Sequence, residues 1–526
     1  MRTWQLWLED KAEIARRLSR GEDLDGYNSA YGDNDLIIGF LMVEGFWSVL
    51  VDTQADLLKK ENGYAPRILN GLWALCELAG VGRIAQSGKV LGDGSLLRMV
   101  GFQAEEIEDA RAEGRLRVDP ETLSNHLARI SSASVEESWS KHVKLLLSKR
   151  WNRGKVYAVD GNYITIPYGN VENYEGAGKV GDARGYKLVT LLNIEPGQER
   201  VIGWALGPLE CSERTLLKEI LDKLKKVLGP AQDWIDVLIF DRGYWGAQFL
   251  TELNQSYGIN YVTRSGNDNL DFVKDVEGLS RLEATAWHEV DETHSHLGEI
   301  RARMAGFENV PLIDADGKQW GVCQSVIADE YDRQGRPLPE RPRFYYVTSL
   351  PVDPAKSDSV ASVRRYYRGR WPVENQGFWV LTKRWNLDML AGRNYNAIRA
   401  RLNFVLQLYN AENCCVWKHP GSYDEEMHRL KRPAVGDRLG KPCIMLYTPD
   451  GKVGAFQANE YAKLLGTAAR ETGWAQGVAE GKAQGAAEAK AQAEAEAKAE
   501  IKAELKESIR KALGEGKSIK DILNDI

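Results

Sequence analysis

The chain has 526 residues, 43% of them apolar and 27% charged, which is the balance of a soluble globular protein with two or three domains. No apolar run is long enough to cross a membrane, the N-terminus lacks the apolar stretch of a secretory signal, and the net charge of −6 argues mildly against bulk nucleic-acid binding. Six scattered cysteines without CxxC spacing disfavour a zinc site or a disulfide framework, and they suit a reducing cytoplasm.

Residues 1–150 show mostly helical patterns, so we predict a helical N-terminal domain with DNA binding as a candidate role. Asp119 is a good N-cap and Pro120 fits the first position of the helix that follows. In one interpretation this helix belongs to a helix-turn-helix motif, whose exposed face would carry Thr122, Ser124, Asn125, His126 and Arg129. In the other, which we slightly favour because such patterns are common by chance, it is a capped surface helix of a small bundle.

Strands begin at Lys155 and then alternate with helices. The predicted order is a strand containing Asp160, two further strands, an amphipathic helix that Ser212 can cap, a strand ending at Asp241, a helix and another strand. Three antiparallel strands followed by alternating helices and strands are typical of a ribonuclease H-like mixed sheet. In that α/β fold the first and fourth strands are neighbours, so the two aspartates should meet.

The rest of the chain divides into four predicted segments. Residues 267–342 are a β-rich insertion, and 343–420 return to the catalytic domain that begins at 151–266, with one strand and one or two helices bearing Glu374. Residues 421–473 are a C-terminal extension. The tail, 474–526, is a low-complexity helical segment rich in Ala, Glu and Lys.

Asp160 is unusual because it lies in the middle of a strand rich in Val, Tyr and Ile, where a buried, unpaired carboxylate is costly. Three carboxylates brought together would repel one another without divalent cations between them. Two Mg²⁺ ions about 3.5–4 Å apart would instead make a clamp for in-line attack on a phosphodiester. The sequence therefore predicts a metal site formed by Asp160, Asp241 and Glu374.

Three short motifs support this prediction: "VDGNYI", "FDRGYWG" and "YYRGRWPVENQGFW". In this order they resemble the motifs of bacterial insertion-sequence transposases of the DDE type, in the group with a Tyr-Arg-Glu signature that Tyr367, Arg370 and Glu374 fit. The resemblance covers roughly residues 155–415. One position departs from it, because Leu381 stands where the family usually has Lys.

The resemblance implies a metal-dependent transposase that cleaves transposon ends and joins them to target DNA. It implies two Mg²⁺ ions, with Mn²⁺ as a substitute, and a homodimer that holds two terminal inverted repeats in a synaptic complex. The location implied is the bacterial cytoplasm, associated with the nucleoid when the protein is bound to DNA, with no membrane contact. Two alternatives are an inactive DNA-binding or assembly protein derived from such an enzyme, and a nuclease of the same fold that does not join strands.

DNA contacts are predicted for Tyr367, Arg370, Arg384 and Arg393. They lie in the stretch 361–420, which has ten Lys or Arg against three Asp or Glu and is the one clearly basic block. Tyr367 suits a core position better than base stacking. The side chain of Arg370 suits a phosphate and the Glu374 carboxylate equally.

Each carboxylate also has a simpler interpretation. Asp160 would be a turn residue before Gly161, Asp241 a helix cap, and Glu374 half of a surface ion pair. Three rival carboxylates lie nearby in the sequence and suit surface or cap positions: Glu210, Glu213 and Asp236. The joint order of the motifs favours the metal site.

Overall fold

A computed structural model of the chain describes residues 8–29, 35–55, 63–166, 174–265, 271–294, 298–338, 343–370, 377–419 and 443–471. The tail 474–526, residues 421–442 and 472–473 of the predicted extension, and Glu374 lie outside the described residues. In the N-terminal part the helices are α1 Lys11–Ser19, α2 Asp35–Glu44, α3 Phe46–Val51, α4 Pro66–Leu78, α5 Gly88–Leu91, α6 Gly94–Met99, α7 Ala104–Ala112, α8 Pro120–Leu127 and α9 Ser132–Ser148.

Later helices are α10 Glu213–Leu228, α11 Ala247–Gln255, α12 Asp271–Ser280, α13 Ser357–Arg368, α14 Trp379–Arg384, α15 Tyr395–Lys418 and α16 Ala458–Glu471. The strands are β1 Leu8–Glu9, β2 Asp25–Ser29, β3 Val156–Thr165, β4 Gly178–Val180, β5 Ala183–Asn193, β6 Val201–Pro208, β7 Val237–Ile239, β8 Asn260–Arg264, β9 Trp287–His294, β10 Gly298–Ile313, β11 Gln319–Tyr331, β12 Phe344–Thr348, β13 Cys443–Tyr447 and β14 Lys452–Phe456.

A mixed sheet dominates the middle of the chain. Its strands follow the order β4-β5-β3-β7-β8-β12-β11-β10-β9, with β6 also paired to β5. β3 is antiparallel to β5 and parallel to β7, and β7 is parallel to β8. The predicted adjacency of the strands that carry Asp160 and precede Asp241 is therefore confirmed.

Helices cover this sheet because its inner strands are apolar along almost their whole length. β6 is buried from Val201 to Gly207, which fits a strand covered on both faces rather than one. α10 packs on it with a stripe of five buried residues: Leu216, Leu217, Ile220, Leu221 and Leu224. A Cβ atom on Gly203 would lie 2.3 Å from Ile220 Cγ2, so glycine lets the helix approach the strand closely.

The β-rich insertion extends the same sheet. β12 pairs antiparallel with both β8 and β11, and β10 joins β11 and β9 in long hairpins. The strands of the insertion were expected. They were also expected to form a small separate unit, but they continue the central sheet instead. The domain boundaries at 267–342 stay a prediction.

A buried ionic cluster fastens α13 to the insertion. Arg364 donates to Glu330 Oε1 at 2.6 Å, to Glu292 Oε2 at 3.0 Å and to the Tyr346 hydroxyl at 3.0 Å. The side chains of Arg364 and Glu330 are only 1% and 2% exposed. Arg368, one turn further along α13, also pairs with Glu292. The helix that presents Tyr367 is thus anchored to β9 and β11 through charge.

The two ends of the described chain build a second sheet that the sequence patterns did not indicate. Its order is β1-β14-β13-β2, with Tyr27 of β2 opposite Met445 of β13. Residues 1–150 are mostly helical as expected, but β1 and β2 are too short to give a clear alternating pattern. Their pairing partners lie more than 400 residues later in the chain, beyond the reach of any local signal.

The predicted helix after Asp119 is α8, and Asp119 caps it by accepting from the Glu121 backbone N–H at 2.7 Å. His126 does not lie on an exposed face, as the helix-turn-helix interpretation required. It is 4% exposed and its Nε2 lies 2.7 Å from Asn70 Oδ1 of α4. This arrangement fits the interpretation of a small bundle.

Two buried histidines make the helical part sensitive to acid. Burial lowers the pKa of His126 to about 4. His142 is fully buried against Phe46 and Trp139, and burial lowers its pKa to about 3. The unfolded chain takes up these protons near pH 6.5, whereas the folded chain takes them up only near pH 4 or below. The free energy of unfolding is therefore highest above pH 6.5 and falls as the pH drops from 6.5 toward 4.

We expect a His126→Gln variant to lose less stability on acidification than the parent chain. Glutamine can still donate to Asn70 but does not titrate, so about 2 kcal/mol of the loss between pH 7 and pH 5 should disappear. Urea unfolding followed by circular dichroism at both pH values measures this difference. An unchanged pH dependence in the variant would contradict the assignment.

Candidate active site

Asp160 and Asp241 occupy matching positions on neighbouring parallel strands. The register pairs Val156 with Val237 and Ala158 with Ile239, so the two aspartates follow the last pair by two residues on each strand. Both side chains are partly buried. Since successive residues on a strand alternate between faces, equal spacing from the last pair puts both carboxylates on the same face of the sheet.

Asp160 lies inside β3, so its interpretation as a turn residue is wrong. Its Oδ1 accepts from the Gly161 backbone N–H at 2.8 Å, and its Oδ2 accepts from Arg370 Nη1 at 3.2 Å. The Asp160 side chain is 18% exposed, and the side chain of its partner Arg370 is 13% exposed. Asp160 is therefore held in place by a strand and an arginine while one edge stays open to solvent.

Asp241 does cap the turn that follows it. Its Oδ1 accepts from the Gly243 N–H at 2.7 Å, at the start of a 3-10 turn over Arg242–Tyr244. The capping interpretation and the site interpretation are compatible, because one oxygen orients the carboxylate and the other remains available. The backbone carbonyl of Asp241 accepts from the Thr263 hydroxyl at 3.0 Å, which ties this turn to β8.

Tyr367 and Arg370 form one packed unit at the end of α13. The Arg370 guanidinium lies 5.9 Å from the Tyr367 ring centroid, and the Tyr367 ring packs on Tyr346 of β12 at 5.4 Å. Burial raises the pKa of Tyr367, and so does Asp241, while Arg370 and Arg264 lower it. Tyr367 is thus a packing residue beside the site, and its contact with DNA stays a prediction.

Glu213 was assigned to a surface or cap position, and the structure corrects this. It is the first residue of α10, and its carboxylate lies against β3: a Cβ atom on Gly161 would be 2.6 Å from Glu213 Oε1. Burial raises its pKa, Asp241 adds to the rise, and Lys187 opposes it. The sequence signal for this approach is Gly161, which directly follows Asp160 and has no side chain to block a neighbouring carboxylate.

The other two rival carboxylates are at the surface, as expected. Glu210 accepts from the Lys179 backbone N–H at 2.8 Å, and the side chain of Asp236 is 61% exposed beside Lys155. Neither points to the two aspartates.

Tyr244 was missed altogether. It is fully buried, and its hydroxyl has no hydrogen bond of normal geometry within the described part of the chain. Burial raises its pKa well above the usual value, and the charges of Glu213, Asp160 and Asp241 add to this. Its interaction with the Glu213 carboxylate also contributes to the rise, so the phenol lies beside that carboxylate.

The remaining two predicted DNA contacts are arginines beside aromatic rings. Arg384 stacks over Trp379, whose ring is 50% exposed, with 5.4 Å between the guanidinium and the ring centroid. Arg393 is exposed and lies 5.9 Å from the Tyr174 ring centroid. Leu381 is 1% exposed in α14, so the position where the family has Lys is a core position here.

The basic block 361–420 is less positive at its surface than its composition indicated. Six of its ten basic side chains pair with carboxylates from elsewhere in the chain: Arg364, Arg368, Arg370, Arg399, Arg401 and Lys418. The pair of Arg401 with Glu77 is almost completely buried. Counting charges along the sequence cannot separate such structural arginines from those that face solvent.

Divalent cations fit the chemistry of Asp160 and Asp241, because Mg²⁺ prefers carboxylate oxygens and keeps several water ligands. Within the described residues no three His, Cys, Asp or Glu side chains form a group that would hold a metal ion by themselves. Glu374, the third predicted ligand, lies outside the described residues, and its position stays a prediction.

Comparison with known families bears on this site directly. Residues 151–411 match the family described as "Transposase DDE domain". The match begins just before β3 and ends within α15. This chain carries a DDE transposase domain. The domain includes the whole central sheet, both aspartates and α13 to α14. Membership in the DDE transposases confirms the family that the three motifs indicated, whereas the bacterial insertion-sequence origin stays a prediction.

Other comparisons add less about this DDE transposase. A cryo-EM structure of a piggyBac transposase synaptic complex with hairpin DNA is similar at 8% identity and a TM-score of 0.34, over 77% of this chain and 80% of that one. A TM-score this low does not support comparing the two folds element by element. No curated protein matches the chain. Among the helices that the structure describes, none is long and apolar enough to cross a membrane.

Proposed function

We propose that the protein is an active transposase that cleaves transposon DNA ends and joins them to target DNA in a metal-dependent reaction. The observation that carries this proposal is the matched position of Asp160 in β3 and Asp241 just after β7, each two residues beyond the last residue pair of these strands. The DDE transposase family gives the reaction class. The pairing order β6-β5-β3-β7-β8 supports a ribonuclease H-like core around the two aspartates.

Each residue would have a distinct task in that reaction. Asp160, Asp241 and Glu374 would hold Mg²⁺ or Mn²⁺, which when bound would polarise the phosphodiester and activate the attacking oxygen. The strand β3 fixes Asp160 and the turn directly after β7 fixes Asp241, so neither position would depend on the substrate. Arg370 pairs with Asp160 at 3.2 Å, and it would turn toward a phosphate once cations balance the carboxylate.

DNA is the partner that this chemistry requires, and a homodimer would bring two terminal inverted repeats together. Both follow from the family and its reaction class. The pairs Arg384–Trp379 and Arg393–Tyr174, in which Trp379 and Arg393 are exposed, would contact the DNA backbone.

Cleavage of DNA ends is the direct test. Full-length protein is incubated with duplexes made from the DNA that flanks its gene, with Mg²⁺, Mn²⁺ or EDTA, and products are resolved on sequencing gels. Metal-dependent cuts at repeat ends, together with joined products, are expected. Cuts without joining would indicate a nuclease of the same fold, and binding without cuts would indicate an inactive derivative.

We also expect an Arg384→Ala/Arg393→Ala variant to bind these ends more weakly and with a shallower dependence on salt. Each lost phosphate contact should lower the slope of log affinity against log salt by about 0.9. Fluorescence anisotropy between 50 and 200 mM salt, roughly the range over which such contacts weaken strongly, measures this slope. Arg281→Ala is a matched control, because Arg281 is 78% exposed in the turn directly after α12. An equal slope in the parent and the double variant would contradict the role of the two arginines.

A further inference from the structure

Arg264 extends the row that begins with the two aspartates of the site. The last pairs between β3 and β7 and between β7 and β8 join three residues: Ala158, Ile239 and Val262. Asp160, Asp241 and Arg264 each follow one of these residues by two positions. Side chains alternate between the two faces of a sheet, so this equal spacing places Arg264 on the same face as both carboxylates and one strand beyond Asp241.

Contacts on the other side of Arg264 support this orientation. Arg264 is opposite Tyr346 in the antiparallel pair of β8 and β12, and the Tyr346 ring packs on Tyr367 of α13 at 5.4 Å. Burial raises the pKa of Tyr367, and Arg370 lowers it. Arg264 lowers this pKa as well, whereas Asp241 raises it. The arginine and the aspartate thus both lie close to the same phenol.

The charge of Arg264 is not balanced by a carboxylate of the described chain. Two other arginines near it are balanced, since Arg370 pairs with Asp160 and Arg364 with two glutamates. Within the part of the chain that the structure describes, Arg264 forms no ion pair, and its guanidinium lies 5.3 Å from the Phe344 ring centroid. The side chain is partly exposed. A guanidinium that rests on an aromatic ring and lacks a carboxylate is available to an anionic ligand.

A DNA phosphate is the anion that suits this position. The guanidinium is a planar fork of N–H donors that matches two oxygens of a phosphate. Adjacent strands lie about 4.8 Å apart, so the backbone of Arg264 is one strand spacing from that of Asp241. A phosphodiester held at the two aspartates would therefore be within reach of this fork. A donor that is fixed before the substrate arrives stabilises charge that develops during the reaction.

We propose that Arg264 is a catalytic residue that binds a non-bridging oxygen of the phosphodiester that is cut. The inference rests on the proposed function, because it needs a DNA phosphate at Asp160 and Asp241. In cleavage a water oxygen bonds to phosphorus, the bond to the bridging oxygen breaks, and a proton released by the water balances the charge of the leaving oxygen. Arg264 keeps its own proton and stabilises the negative charge on the phosphate. It lies outside the three motifs and outside the predicted DNA contacts.

Single-turnover cleavage of DNA ends by full-length protein, at saturating DNA and with Mg²⁺, tests the proposal. We expect Arg264→Gln to cleave about 100-fold more slowly or worse, as is typical when one such donor is lost. Arg264→Lys keeps the charge but loses the fork, so its rate should lie in between. Arg303→Gln is a matched control, because Arg303 is exposed on β10 and lies 4.5 Å from the Trp287 ring centroid. It should cleave within about two-fold of the parent.

A change in the DNA separates a contact with the cleaved phosphate from a structural role. One DNA end carries an uncharged methylphosphonate at the cleaved position, and the other carries the natural phosphate. Affinity for both is measured by fluorescence anisotropy in EDTA, where no cleavage is expected. The effect of the methylphosphonate on affinity should differ about 10-fold between the parent and Arg264→Gln, because hydrogen bonds to charged groups are strong. A defect in folding would weaken binding of both DNA ends equally.

The outcomes separate this inference from the proposed function. A parental cleavage rate in Arg264→Gln, or the same effect of the methylphosphonate in both proteins, would overturn the role of Arg264 only. If Arg264→Gln fails to fold, Arg264→Lys decides, and a parental rate in that variant overturns the inference. A parent protein that shows no metal-dependent cleavage of any end would overturn the proposed function itself.

Discussion

An Asp160→Asn variant should fold and bind DNA ends like the parent protein, yet cleave them at least about 1,000-fold more slowly. Asparagine has nearly the shape of aspartate but no charge, so it cannot balance divalent cations beside Asp241. A 1,000-fold loss corresponds to about 4 kcal/mol of activation free energy, within the several kcal/mol that metal ions supply to charge stabilisation. Single-turnover cleavage with Mg²⁺ measures the effect, and Asp241→Asn should behave in the same way.

Asp236→Asn is the control for this prediction. It makes the same chemical change just before β7, but at a side chain that is 61% exposed in an ion pair with Lys155. Cleavage by this variant should stay within about two-fold of the parent, since exposed ion pairs contribute little. Cleavage by Asp160→Asn at more than a tenth of the parental rate would show that another carboxylate holds the cation.

The second large effect is expected at Arg364. An Arg364→Met variant should lose about 3–5 kcal/mol of stability, because it removes the cation from two carboxylates on β9 and β11. Glu330, whose side chain is 2% exposed, would remain charged in a site that water does not reach. Urea unfolding followed by tryptophan fluorescence should show a lower midpoint. Amide hydrogen exchange should be faster in β9, β11 and α13.

Two further variants test whether charge is the cause. Arg365→Met makes the same substitution one residue later on α13, at an exposed side chain, and should have little effect. Arg364→Met combined with Glu330→Gln should recover part of the lost stability, since a neutral amide is easier to bury than an unpaired carboxylate. A double variant as unstable as the single one would mean that lost packing, and not lost charge, dominates.

The sequence was a good guide where the signal was local or followed the order of elements. An aspartate in the middle of an apolar strand is a conflict between propensity and position, and such conflicts occur at functional sites. The alternation of strands and helices then predicted which strands are neighbours, and β3 does pair with β7. Both predictions needed only the local sequence and the order of the elements, and neither required knowledge of contacts between distant residues.

Prediction failed where the deciding contact was between residues far apart in the chain. Glu213 looks like an ordinary first-turn residue of an amphipathic helix, and only the space beside Gly161 turns it into part of the site. Tyr244 lies in a recognised motif, but its burial beside Glu213 depends on how α10 packs. The positive surface charge predicted for the block 361–420 was too high for the same reason, because the carboxylate partners of its arginines come from distant segments.

The sheet β1-β14-β13-β2 has a consequence for the order in which the protein is made. The Asp10 carboxylate pairs with Lys452, which is 442 residues later in the chain. During synthesis, β2 leaves the ribosome long before β13 exists, and at about 5–20 residues per second it waits for at least roughly 20 seconds. The Tyr27 side chain and the unpaired edge of β2 are open to other chains in that interval. This sheet can therefore be completed only after the whole transposase domain has been synthesised.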